Sequence, residues 1–254
     1  MNVSNPSIKE KNNPNQNLYV KHQSFDNFVS NLNTDIVYQE QRAIKILTEY
    51  LPFEKDGGRL NIGKLILEDL KAEKSLKRDF YITVPIADDI SKLLDNELPR
   101  YLIHRYRYDV FPQKKILDKF PPYLQIEPSS ICNFRCVFCY QTDKEFTSKA
   151  TGFMGTMSLD MFKQIIDQIV GNVEFISLAS RGEPFVCKEI DQMLKYCVGK
   201  FLGLKVNTNA SLLNEKHCHA LLSGGVNTVV FSADEAEEPK YSELRVGGNL
   251  EQIL

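Results

Sequence analysis

Residues 131–140 read I-C-N-F-R-C-V-F-C-Y, and the rest of the chain takes its meaning from this stretch. It places three cysteines, Cys132, Cys136 and Cys139, within eight residues. Thiolates are soft, strongly donating ligands, and three on one short loop can reach three corners of a single inorganic cluster. The spacing of three residues and then two differs from the C-x2-C-x2-C run of bacterial ferredoxins, where a fourth cysteine follows almost at once. Here the next cysteine is Cys187. One metal of such a cluster keeps an open coordination position, which is where a metal site does chemistry. Structural zinc sites want four ligands and paired spacings that this neighbourhood lacks. An odd trio behind a start, M-N-V-S-N-P-S, that does not read as a signal peptide does not suit a disulfide framework.

Outward from the loop toward the carboxyl terminus, strand and helix patterns alternate. Tyr123 to Glu127 alternates as a strand would and leads into the cysteines through Pro128-Ser129-Ser130. Ser158 is a plausible N-cap for a helix with Leu159, Phe162, Ile165, Ile166 and Ile169 on one face and Gly171 at its end. Strands are expected over Val173–Leu178, Leu204–Thr208 and Val226–Phe231. Helices are expected through Ile190–Val198 before Gly199, through Asn214–Leu222, and from Glu238 onward. This alternation implies βαβ units and a parallel sheet, whose ligand sites gather at the carboxyl ends of the strands.

Three short segments sit at those ends: Ser180-Arg181-Gly182-Glu183-Pro184, Asn207-Thr208-Asn209-Ala210 and Phe231-Ser232-Ala233-Asp234. With the cysteine loop they resemble the radical S-adenosylmethionine (SAM) enzymes, whose signature is C-x3-C-x-aromatic-C with Phe138 at the aromatic position. The resemblance implies an α/β fold, a partial (β/α) barrel of about four βα units preceded by a mainly helical region. It also implies that Cys132, Cys136 and Cys139 hold a 4Fe-4S cluster whose fourth iron is chelated by S-adenosyl-L-methionine. Reductive cleavage of that cofactor then gives a 5'-deoxyadenosyl radical for hydrogen abstraction. Phe138, Tyr140, Gly182, Glu183, Asn209, Ser232 and Arg245 are the implied cofactor-binding residues. Two positions depart from the family pattern: Arg181 replaces the first glycine of G-G-E-P, and Ala210 replaces the glycine of T-N-G. Tyr241 to Gly248 is similar to the Y-x-x-x-R segment of members that carry a SPASM domain. Its arginine is either a two-donor fork for the SAM carboxylate or a surface ion pair. The implied partners are an electron donor such as flavodoxin or ferredoxin and a peptide, protein or sugar substrate.

The resemblance covers about residues 120–254. A four-stranded parallel sheet cannot close into a barrel, and Gly248 to Leu254 carry no helix stop, so the chain is expected to be truncated within the barrel. Cys187, Cys197 and Cys218 are read as structural, and His217-Cys218-His219 as unable to share a metal because helical neighbours point apart.

Toward the amino terminus, Phe120-Pro121-Pro122 marks a boundary. Ahead of it, residues 34–120 are expected to be mainly helical, with helices over Asp35–Leu51 and Asn61–Lys74, a short strand over Phe80–Val84, and a weak helical pattern from Ser91 that stops before Pro99. His104-Arg105-Tyr106-Arg107-Tyr108 interleaves rings and charges, which suits an amphipathic packed segment better than a nucleic-acid contact. His22 and His104 lack ligand-spaced neighbours. Residues 1–33, rich in Asn, Ser, Lys and Gln, read as a disordered tail. A net charge of -2 over 254 residues argues against binding nucleic acid or membrane by bulk electrostatics, and no apolar run approaches a membrane span. A cytoplasmic enzyme is expected. The alternatives are an electron-transfer iron-sulfur protein or a catalytically inactive scaffold fragment.

Overall fold

A computed structural model of the chain describes residues 34–73 and 76–253. The expected tail, with His22, lies outside these residues. Among the described residues four α-helices come first. Helix α1 (Ile36–Tyr50) starts where the Asp35 side chain accepts from Tyr38 N. Helix α2 (Gly57–Lys71) begins ahead of the expected Asn61, because Asp56 accepts from Arg59 N and draws both glycines into the first turn.

Two expectations fail in the next segment. Phe80 to Val84 is not a strand: it is an irregular lead-in that buries Phe80 and Ile82 and hands over to α3 (Val84–Ser91), capped by Thr83. A short apolar run has no period to separate the two outcomes. Helical structure ends at Ser91 instead of beginning there, and Pro99 opens α4 (Leu98–Lys114), sitting in the first turn where its missing N–H costs nothing. His104, Tyr106 and Arg107 face inward from α4 while Tyr108 is exposed, as the amphipathic reading requires. Leu47, Ile66, Phe80, Ile90 and Leu102 form the centre of this helical core.

The sheet follows, with strands β1 (Tyr123–Ile126), β2 (Phe175–Leu178), β3 (Gly203–Thr208) and β4 (Thr228–Phe231) in spatial order β1-β2-β3-β4 and all pairs parallel. Helices α5 (Leu159–Ile169), α6 (Ile190–Cys197) and α7 (Glu215–Ser223) are the crossovers. Ser158 and Asn214 cap α5 and α7, and Gly171 and Gly199 leave α5 and α6 with φ of +81° and +70°. Alternate strand residues, among them Ile176, Leu178, Leu204 and Val206, pack on Phe162, Ile166, Met193 and Leu194. Each fully buried side chain of this size contributes on the order of 2 kcal/mol through lost apolar surface. In place of one helix from Glu238, β4 is followed by two short ones, α8 (Lys240–Leu244) and α9 (Leu250–Ile253).

The helical region is fixed to the amino ends of the strands. Arg100 Nε donates to both Glu174 carboxylate oxygens at 3.0 Å, just before β2. Arg107 donates to the Asn172 and Phe120 carbonyls at 2.7 and 2.6 Å, and Arg59 to the Gly171 carbonyl at 2.9 Å. The His104 ring lies 4.3 Å from that of Phe175. The carboxyl ends of the strands are thereby left clear of the helices.

Candidate active site

The cysteine loop leaves β1 and is held from three sides. Its base pairs with the returning chain, Met157 N donating to Pro128 O at 2.8 Å and Ser130 N to Gly155 O at 2.9 Å. Gln141 Nε2 donates to the carbonyls of Ser130 and Arg181 at 2.7 and 2.9 Å, linking the loop to the turn after β2. The loop's middle is clasped by the end of α8 and the residues after it: Arg135 N donates to Val246 O at 2.8 Å and Val137 N to Leu244 O at 3.0 Å.

A cleft of about 240 Å3 opens at the carboxyl ends of the strands. Cys132, Cys136, Cys139, Phe138, Gly182, Glu183, Asn209, Ser232 and Arg245 all line it, so nine of the ten residues singled out in the sequence share one space. Tyr140 is not among them. It turns into a separate recess with Gln141, Phe146 and Met154, its ring centroid 5.9 Å from that of Phe146, and burial pushes its phenol up to about 12.

N–H groups approach the sulfurs. Phe134 N lies 3.4 Å from Cys132 Sγ, Asn209 Nδ2 lies 3.9 Å from the same atom, and Arg245 Nη1 lies 3.8 Å from Cys136 Sγ. Burial pushes the Cys132 thiol up, and it also raises Cys136 against the opposing pull of Arg245. As bare thiols they resist ionisation, and a bound cation is what would favour their thiolates. Among the described residues no three His, Cys, Asp or Glu side chains converge as ligands of a single metal ion would. A polynuclear cluster, taking one thiolate per iron, asks only that the cysteines border a common space. The donor set fits such a cluster.

The turn after β2 is shaped by close approach. A Cβ on Gly182 would fall 2.0 Å from Ser129 O and 2.6 Å from Ile131 O, so only glycine lets this turn lie against the start of the loop. Glu183 N donates to Ile131 O at 2.9 Å. The Glu183 side chain is 2% exposed, and its carboxylate accepts from Thr208 Oγ1 and Asn209 N, both at 2.7 Å. Burial raises its pKa even so. Its carboxylate therefore joins the end of β2 to the end of β3. Arg181 turns to Glu127 at the end of β1, with Nη2 at 2.9 Å and its backbone N at 2.7 Å. Burial alone would raise Glu127, but the hydrogen bonds and charge of Arg181 outweigh it and hold its pKa below the usual value. The family glycine is thus replaced by a residue that braces two strand ends.

Asn209 Nδ2 also donates to Asn133 Oδ1 at 3.0 Å, and Ser232 N donates to Thr208 O at 2.8 Å. Arg245 is both an ion pair and a cleft residue: Nε donates to Asp234 Oδ2 at 2.5 Å, and the guanidinium lies 5.3 Å from the Phe138 ring centroid. Ala210 holds φ +65°, the left-handed conformation that glycine adopts without strain. Of the other cysteines, Cys187 and Cys197 are core residues, while Cys218 is exposed and adds nothing to the core, because its helix turns it outward. Gln125 and Asn207 also line the cleft, and Asp234 anchors Arg245. Strand alternation carried a signal for Gln125 and Asn207; the Asp234 pairing had none.

A family model described as the radical SAM superfamily matches residues 126–254. The chain is similar to the tungsten-containing aldehyde ferredoxin oxidoreductase cofactor-modifying protein of Pyrococcus furiosus, with 30% identity over 44% of this chain and 30% of that protein. It is also similar to the GTP 3',8-cyclase of Clostridium botulinum, with 27% identity over 52% of this chain and 41% of that enzyme. The chain spans less than half the length of these curated relatives. Among solved structures, Streptococcus suis SuiB bound to S-adenosylmethionine matches with TM-score 0.44 and 22% identity, over 76% of this chain and 44% of that one. BtrN in complex with AdoMet and 2-DOIA matches with TM-score 0.40 and 21% identity, over 54% and 57%.

Proposed function

The chain belongs to the radical SAM superfamily of enzymes, and from this premise we propose that Cys132, Cys136 and Cys139 hold a 4Fe-4S cluster that cleaves S-adenosyl-L-methionine. The bound pair supplies a 5'-deoxyadenosyl radical, formed by one-electron cleavage of the sulfonium with loss of methionine, for hydrogen abstraction from a peptide, protein or sugar substrate. The observation that carries this reading is the convergence of all three cysteines with Gly182, Glu183, Asn209, Ser232 and Arg245 on one cleft. The chain's own part is to bind and orient. Backbone groups at Gly182 and Glu183 offer acceptors to the methionyl ammonium, since the Glu183 carboxylate is already engaged. Asn209 and Ser232 offer polar side chains at the ends of β3 and β4. Arg245, held by Asp234, presents its remaining N–H groups to the methionyl carboxylate. Phe138 closes one side of the cleft beneath that guanidinium.

On this reading residues 121–254 are the partial core domain and 34–120 the helical region that closes its amino end. The likeness of Tyr241 to Gly248 to SPASM-type members supports membership of that group, with flavodoxin or ferredoxin as the proposed electron donor. No described helix is long and apolar enough to cross a membrane, and we assign the enzyme to the cytoplasm. The test is anaerobic reconstitution with iron and sulfide. The reduced cluster should give an EPR signal that changes on adding SAM, with 5'-deoxyadenosine released, and Cys136→Ala should remove both. A cluster indifferent to SAM would instead make this an electron-transfer protein, and SAM binding without cleavage an inactive scaffold.

A further inference from the structure

One face of the sheet packs on α5 to α7; the residues between face the other way. Register sets Gln125, Ser177, Lys205 and Thr228 side by side across all four strands of that second face. One row lower, Tyr123, Phe175 and Gly203 make an apolar floor against the helical cap. Two clefts open on this face: the upper holds the three cysteines with Gln125 and Asn207, the lower holds Lys205, Thr228 and Phe175. The face is polar in its middle, sealed below and open to the cysteine loop above.

Two groups on it are left without partners. The Lys205 ammonium forms no hydrogen bond or ion pair among the described residues, although two other charges line its cleft. Of those two, Lys92 pairs with Asp88 at 2.5 Å, and Asp89 accepts from the Tyr101 hydroxyl at 2.7 Å while keeping its negative charge. Asn207 Oδ1 is buried and accepts nothing. Lys205 and Asn207 point from the same face of β3, two residues or about 7 Å apart. A buried acceptor without a donor costs roughly 1–3 kcal/mol, so a ligand that supplies one gains by binding there.

We propose that Lys205 and Asn207 select the substrate: its anionic group, carboxylate or phosphate, meets the Lys205 ammonium, and an N–H or O–H nearer the cysteines donates to Asn207 Oδ1. This rests on the cofactor reading above, since the substrate would lie along the face from Lys205 in the lower cleft to Asn207 in the upper one, where its C–H is presented to the cofactor. Phe175 and Tyr123 give the substrate an apolar base, and Thr228 a hydroxyl beside the anion.

The test is anaerobic calorimetry of the cluster-loaded chain with inorganic phosphate and, separately, succinate. One of the two should bind saturably to the wild type. Lys205→Met should weaken that binding about tenfold or more, the loss of a charged hydrogen bond, while Lys205→Arg stays within about threefold. Retention of the cluster absorption reports an intact fold, and Lys205→Gln replaces Lys205→Met if that absorption is lost. Phosphate binding alone assigns a phosphorylated substrate, succinate alone a carboxylate. The proposal is overturned if neither probe saturates, if Lys205→Met binds like the wild type, or if only Arg245→Met weakens binding, which would put the anion at the methionyl carboxylate position. The same titration without cluster separates failure of this proposal from failure of the cofactor reading, which is judged by EPR alone.

Discussion

At the amino ends of the strands Arg59, Arg100 and Arg107 are engaged by carbonyls and carboxylates of the chain itself, whereas Lys205 in the middle of β3 and Asn207 near its carboxyl end keep unused capacity. Both ends hold buried polar groups, so polarity alone does not mark a site. Among these residues the difference is one of degree, since Arg59 Nε and His104 Nδ1 at the amino end also lack a hydrogen-bond partner: a satisfied polar group fixes one part of the fold to another, and an unsatisfied one keeps capacity for a ligand. Glu174 and Glu183 make the same point. Each is buried, one paired to Arg100 below and the other accepting from Thr208 and Asn209 above, and each serves as a joint.

The contrast is broken most severely at Gly182, the point where the upper end depends on packing. Gly182→Ala sets a methyl against two backbone carbonyls, and we expect a loss of more than about 3 kcal/mol in denaturant unfolding together with lost iron uptake. Second is the lower end's pH dependence. Burial, with Arg105 and then Arg107 adding to it, lowers His104 to about 4 against an unfolded value of 6.5. The unfolded chain therefore takes up this proton first as pH falls. His104 contributes no penalty above about pH 6.5 and costs about 3 kcal/mol by pH 4. Unfolding measured from pH 7 to 4 should show that slope, and His104→Gln should flatten it.

Third, Arg100→Ala leaves Glu174 buried without its partner. The arginine is partly exposed, so solvent softens the effect to about 2 kcal/mol, with SAM cleavage per folded molecule unchanged. Loss of SAM cleavage in that variant would mean that the two ends are coupled. Last, Ala210→Gly relieves the left-handed backbone but frees the unfolded chain, and thermal unfolding should register a change within about 1 kcal/mol.

Much of the site was legible because its signals are local. Cys132, Cys136 and Cys139 carry their chemistry in their spacing, and the βα alternation puts Gly182, Asn209 and Ser232 at strand ends without any knowledge of packing. Tyr140 shows the limit, since its position beside Cys139 says nothing of the rotamer that takes it to Phe146. Phe80 to Val84 misled because buried lead-ins and buried strands draw on the same residues, and Pro99 because proline both stops and opens helices. Glu183 was read as a cofactor contact; that its carboxylate joins two strands depends on Thr208, twenty-five residues away. Lys205 stood in a strand of unremarkable composition, and only the register of four strands shows which way it faces and what stands beside it.

The clasp of Arg135 and Val137 on Val246 and Leu244 has a consequence in time. Its two halves are separated by about 110 residues, and a ribosome adding roughly 5–20 residues per second needs about 5–20 s to make the second after the first. Throughout that interval the three cysteines exist on a nascent chain that lacks the strap over their loop. Iron loaded during synthesis would therefore meet an unfastened loop.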